Sequence, residues 1–154
     1  DTWGKLERWE QSSLTPHQIV TLASIIEKET GVADERPLIA SVFLNRLNKN
    51  MRLQSDPTVI YGLDNFDGNL THQDLKNKNK YNTYVIKGLP PGPICNPGRA
   101  SLQAALTPSQ SKYLYFVSQN NGSHHFSKNL REHNLAVRKY QLRRNKSAEA
   151  ESGN

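Results

Sequence analysis

Residues 14–31, LTPHQIVTLASIIEKETG, constrain the fold more than any other stretch, because they leave room for a single local structure. Thr15 is an N-cap residue type, and Pro16 suits the first helical position, where a missing N–H is no loss. Gln18 stands three residues after the cap, where the reciprocal partner of a capping box belongs. Gly31 supplies a stop. Between these marks Ile19, Leu22, Ala23 and Ile26 recur at the spacing of a helix that buries one face. Two carboxylates sit in its last turn. At about 100° per residue, Glu29 follows Ile26 by three positions, Ile25 by four and Leu22 by seven, which sets it on the flank of the apolar stripe. Glu27 is rotated further off, and Lys28 points nearly opposite. An acid at the end of a buried face loses hydration, and desolvation raises its pKa toward the range a general acid needs near neutrality. The alternative is an ordinary solvated glutamate in a charged helix end; the helix alone does not separate the two.

Length and composition bound what the rest can be. With 154 residues, 35% of them hydrophobic, and a mean hydropathy of −0.74, one domain with a small core and an extensive polar surface is expected. No apolar run approaches the ~18 to 20 residues of a membrane helix, and no signal-peptide pattern opens the chain. A start at Asp1 suggests an excised piece whose targeting segment lay upstream. The single cysteine, Cys95, excludes an intrachain disulfide and a cysteine-based zinc cluster. Much of the net charge of +6 comes from Arg131, Arg138, Lys139, Arg143, Arg144 and Lys146 near the end. That run reads as the solvated face of a helix, one that could also favour an anionic polymer or membrane surface.

Taken in order, residues 2–10 predict a short helix with Trp3, Leu6 and Trp9 on one face. A second helix follows over 36–48, with Pro37 in its first turn and Leu38, Ile39, Val42, Phe43 and Leu47 as its stripe. Its short link to the first helix makes the two a packed pair. Ser55 or Asp56 can cap a short helix with Pro57 at its start and Gly62 at its end, and 71–77 offers another cap and short helix. Tyr84, Val85 and Ile86 are β-prone and lead into a Pro- and Gly-dense segment of the kind that lines clefts. Residues 100–106 read as a helix opening at Gly98 or Arg99. Residues 113–117 and 124–126 read as strands joined by the hairpin signal Gln119 to Gly122. From about Asn129 a helix places Leu130, His133, Val137, Tyr140 and Gln141 on one side. The division is a connecting segment over 1–13, a catalytic domain over 14–145 and a flexible tail over 146–154.

Several chemistries find no support. His124 and His125 point to opposite strand faces, so at most one could join His133 at a metal, and no H-E-x-x-H pattern is present. There is no nucleophile elbow, phosphate-cradling glycine loop or recognisable nucleic-acid module. A glycan cleft fits better, since Gln54, Tyr61, Tyr81, Asn82, Tyr84 and the Pro-rich segment offer flat apolar faces with amide and hydroxyl groups. Most glycosidases pair their acid with a second carboxylate. The acid in a suggestive place is Asp56, for which helix capping is an equal explanation.

The motifs SIIEKET (24–30), ASVFLNRL (40–47), MRLQSDPTVIYG (51–62), YNTY (81–84), GLPPGPI (88–94), NPG (96–98) and YLYFV (113–117) resemble, in order and spacing, the catalytic domain of the YceG-like (MltG) endolytic murein transglycosylases. H-x-F at 124–126 and His133-Asn134 continue the match to about Tyr140. The resemblance implies an α+β fold, mainly helical and lysozyme-like around its acid, with a small β-hairpin. It implies an enzyme that cleaves the MurNAc–GlcNAc β-1,4 bond of peptidoglycan without water, leaving 1,6-anhydro-MurNAc ends. The second glutamate of E-K-E-T maps to Glu29, as general acid and then base. The candidate substrate contacts are Gln54, Ser55, Asp56, Tyr61, Tyr81, Asn82, Thr83, Tyr84, His124 and Asn134, with no metal or cofactor. The implied setting is the periplasmic face of the bacterial inner membrane, reached through an N-terminal anchor that family members carry together with a LysM-like subdomain. Glycan strands are the implied partner, with peptidoglycan synthases or divisome proteins beside them and no nucleic acid. A non-catalytic glycan-binding or scaffolding fragment is the alternative.

Overall fold

In the computed structural model, which describes residues 13–152 and the side chains through residue 141, the capped stretch is helix α1, Pro16–Glu29. Thr15 Oγ1 accepts from the Gln18 N–H and the Gln18 side chain accepts from the Thr15 N–H, the reciprocal box that its residue types dictate. The helix stops without help from Gly31. Thr30 already turns extended (φ −145°, ψ 143°), because its hydroxyl is spent on the Val32 N–H and on Glu35. The helix predicted over 2–10 lies outside the described residues.

A 3-10 turn, Ala33–Glu35, leads directly into α2, Arg36–Asn48. The short helices α3, Asp56–Gly62, and α4, His72–Leu75, follow, then α5, Arg99–Leu106, opened by Gly98. Strands β1, Tyr115–Ser118, and β2, His124–Ser127, form an antiparallel hairpin with Phe116 opposite Phe126. The chain ends in α6, Leu130–Ser152. The α+β class with a small hairpin is therefore observed.

The core is organised on α1. Ile19, Leu22, Ala23, Ile25 and Ile26 are at most 4% exposed and pack with Ile39, Ala40 and Phe43 of α2 and Ala104 and Ala105 of α5. Each fully buried aliphatic side chain contributes roughly 1.5 to 3 kcal/mol, so packing rather than helix propensity holds α1. The Pro-rich segment is fastened along the same helix. Ser24 Oγ accepts from the Ile94 N–H at 3.0 Å, Cys95 Sγ donates to the Ser24 carbonyl, and His17 Nε2 lies 2.7 Å from the Pro91 carbonyl.

Three expectations need correction. Residues 84–86 are not a strand. Asn79 and Asn82 accept from the N–H groups two residues on, Tyr81 and Tyr84, and these local turns prevail over β propensity. Among the described side chains of α6 the buried ones are Ala136 and Tyr140, whereas Leu130 is 55% exposed and Gln141 is exposed. That helix also runs on to Ser152, into the stretch read as a tail. Its Ala, Glu, Lys and Arg content favours helix, with no Gly or Pro before Gly153.

Candidate active site

Glu29 is the last residue of α1, at the point where α1 meets the start of α3. Ser55 is the N-cap of α3 but does not cap it with its side chain; its hydroxyl instead donates to Glu29 Oε1 at 2.7 Å. The serine is fixed from behind. Its N–H donates to Thr83 Oγ1 at 2.8 Å, and Thr83 Oγ1 lies 2.8 Å from Thr58 Oγ1. All three residues are at most 2% exposed. A buried cluster of hydroxyls thus points one donor at the carboxylate.

Beside it, Asp56 Oδ1 accepts from the Tyr84 hydroxyl at 2.5 Å. Gln54, just before, holds a left-handed backbone (φ 52°) that a residue with a Cβ adopts at a cost of about 1 kcal/mol or more. These residues face an open cleft of about 380 Å³. Its lining comprises Glu29, Leu53, Gln54, Asp56 and Tyr84 together with Arg46 of α2, Tyr115 and Phe116 of β1, and Leu130, His133 and Asn134 of α6.

The electrostatics separate the two glutamates of α1. Burial pushes Glu29 up to about 7, and the negative charge of Asp56 adds to the rise against the pull of the Ser55 hydrogen bond. Glu27 goes the other way. The Ser101 hydroxyl, donating at 2.6 Å, holds its carboxyl below the usual range, helped by the Gly98 N–H and by Arg36 Nε at 4.0 Å. Tyr84 is kept a protonated donor, chiefly by burial and then by Asp56. His133 is kept neutral by burial and by the charge of Arg46.

Of the candidate contacts, Gln54, Asp56, Tyr84 and Asn134 line the cleft with Glu29, and Ser55 stands behind it. The others are elsewhere or occupied. Asn82 is 1% exposed, and its amide donates to the Leu75 and Asn77 carbonyls, so it shapes the loop instead of meeting a ligand. Thr83 is fully buried in the hydroxyl cluster. Tyr61 and Tyr81 pair with each other at 4.7 Å away from the cleft lining. His124 is turned to Glu35, with Nδ1 at 2.7 Å from Oε2 and its N–H donating to Oε1. This pair ties the hairpin to the 3-10 turn ahead of α2, because alternation along β2 sends His124 to that face.

Arg46, Leu53, Tyr115, Phe116, Leu130 and His133 are the lining residues that were not among the candidate contacts. A signal existed for Arg46, which follows Ile39 by seven and Phe43 by three and so shares the buried face of α2. For Tyr115, Phe116 and His133 the signal was their place in the motifs YLYFV and His133-Asn134, but residue spacing could not bring them to Glu29, since their approach depends on how the hairpin folds back over α2.

Comparison with known proteins agrees with this architecture. The model of the YceG-like family matches residues 2–139. An endolytic murein transglycosylase of Bacillus subtilis is 45% identical over 131 residues, covering 85% of this chain and 36% of that protein. One from Streptococcus pneumoniae is 32% identical over 134 residues, covering 83% of this chain and 24% of that protein. The crystal structure of a YceG-like protein from Listeria monocytogenes superposes with a TM-score of 0.78 at 46% identity, covering 86% of this chain and 42% of the other. The chain thus spans between about a quarter and two fifths of the length of these relatives.

Proposed function

The chain belongs to the YceG-like family, and from that membership, together with an acid held near neutrality in an open cleft, we propose that it carries the catalytic centre of a peptidoglycan lytic transglycosylase. The observation that carries this reading is Glu29, whose pKa of about 7 leaves it substantially protonated at neutral pH. Glu29 gives its proton to the glycosidic oxygen as the bond from MurNAc C1 to that oxygen breaks, so the GlcNAc side leaves as an alcohol. The carboxylate then takes the proton of the MurNAc 6-hydroxyl while its oxygen bonds to C1. The acid is restored and a 1,6-anhydro end is left, with no water consumed.

The surroundings support each half of that cycle. The Ser55 hydroxyl fixes one carboxyl oxygen and stabilises the anion between the two proton transfers. Asp56 adds negative potential where positive charge develops at C1, and Tyr84 keeps Asp56 in place. The nucleophile comes from the substrate, so Asp56 need not attack, and its engagement with Tyr84 is compatible with the cycle. The helix-borne acid is in this sense lysozyme-like. We extend the proposal to a catalytic unit over residues 14–145 that works at the periplasmic face of the inner membrane beside peptidoglycan synthases or divisome proteins. No helix among the described residues is long and apolar enough to cross a membrane.

The test is analysis of the muropeptides released from sacculi. The parent protein is expected to produce anhydro ends, and Glu29→Gln to lose at least ~100-fold of that activity with its fold intact. Equal activity of the two would overturn the assignment, and reducing ends in place of anhydro ends would make the protein a hydrolase.

A further inference from the structure

Arg46 is 7% exposed among the apolar side chains of α2. Its Nε donates to the Leu114 carbonyl at 2.7 Å and its Nη1 to the Arg52 carbonyl at 2.8 Å, while Cζ stands 4.9 Å over the Tyr115 ring. Among the described residues Nη2 has no hydrogen-bond acceptor, and no carboxylate lies within ion-pair distance. Tying two backbone carbonyls together needs only N–H donors. The net charge is left over, and burying a cation without a counter-anion is costly. The guanidinium lines the same cleft as Glu29, Tyr84 and His133, and the neutral His133 supplies no anion.

The cleft lining thus holds a guanidinium, Arg46, as well as the carboxylate of Asp56, and Asp56 is already engaged by the Tyr84 hydroxyl. We propose that Arg46 receives a carboxylate carried by the glycan strand, so that the charge on the substrate sets which way the strand lies across Glu29. This rests on the glycan-cleaving reading above. A planar guanidinium with a free Nη2 suits a carboxylate, whereas Asp56 repels one. Such a carboxylate could be the lactyl group of a muramyl residue lacking its peptide, or a carboxylate of the stem peptide.

Binding to the full chain carrying Glu29→Gln, which prevents turnover, separates these cases. The probes are peptide-bearing strands, strands stripped of peptide, and stripped strands whose carboxyls are converted to methylamides. Charged strands are expected to bind about tenfold more tightly than neutralised ones, the scale of a charge-assisted hydrogen bond, and added salt is expected to erode the difference. Arg46→Gln should bring the ratio to about one by weakening the charged strands more than the neutralised ones. A preference kept by stripped strands identifies the lactyl carboxylate; one confined to peptide-bearing strands identifies the stem peptide. The proposal is overturned if the parent shows no charge preference, or if Arg46→Gln weakens all strands equally, as loss of a purely structural tie would. The parent's own preference needs no Arg46 variant to fold. Absence of binding to every strand would overturn the glycan reading itself, and this inference with it.

Discussion

Glu29 binds its proton more tightly in the folded protein than in the unfolded chain, and both the stability and the rate should report it. Its pKa is raised from 4.5 to about 7, so across that interval the native state holds the extra proton and stability falls as pH rises, levelling above it. Glu29→Gln removes this penalty. The variant should be more stable than the parent above pH ~8 by up to about 3 kcal/mol, with the gain gone below pH ~4, as denaturant titration at the two pH values would measure. The same site predicts opposite shifts from its two neighbours. Asp56→Asn removes a charge that raises the Glu29 pKa, so the alkaline limb of the kcat/KM profile moves to lower pH. Ser55→Ala removes a hydrogen bond that lowers it, so the limb moves higher. Movement of both limbs in one direction would refute the assigned causes. Helical spacing set Glu29 rather than Glu27 on the flank of the apolar stripe, but its burial comes from other elements. Ser55 lies 26 residues away, and only folding aims its hydroxyl.

At the scale of elements, the second glutamate of α1 acts as a tether. Glu27 reaches the start of α5, where it accepts from the Ser101 hydroxyl and the Gly98 N–H; a Cβ at Gly98 would stand 3.0 Å from its Oε1. The anion is also well placed at a helix N-terminus. Because its folded pKa is lowered, Glu27 stabilises the protein above its unfolded value of 4.5, and that contribution is lost as pH falls through the lower folded value. Glu27→Gln should therefore lower the melting temperature at neutral pH, with the gap to the parent closing in acid, while the alkaline limb of cleavage stays where it was. A shift of that limb would mean that the two carboxylates are not separated as described. The N-terminal capping box of α1, the span of α2 and the opening of α5 at Gly98 were legible because each is written in adjacent residues. The turn at 84–86 was misread, since the side chains of Asn79 and Asn82 satisfy backbone groups that a strand would have paired.

For the whole molecule, the cleft exists because the hairpin closes over the helical core. Phe116 of β1 meets Phe43 of α2 edge to face at 5.8 Å and Phe126 of β2 at 6.2 Å, and it also lines the cleft. Phe116→Ala should cost roughly 3 kcal/mol, the low end for such a truncation because the ring is only half-buried, and rehydrate the site, so that the Glu29 pKa drops and the alkaline limb moves down together with the melting temperature. Loss of stability with an unmoved pH profile would show that the hairpin does not govern the burial of the acid. The sequence by itself determined the helix carrying the acid, which glutamate faces inward, the α+β class and the motif series of the family, because each is encoded in residue types at short or fixed spacing. Only the tertiary structure decided that Ser55 holds Glu29, that Asp56 belongs to Tyr84, that Asn82 and His124 are spent on structure, and that Arg46 opens onto the cleft. Those outcomes depend on side chains that meet across long separations, and on burial, which exists only once the hairpin, α2 and α6 have packed around the end of α1.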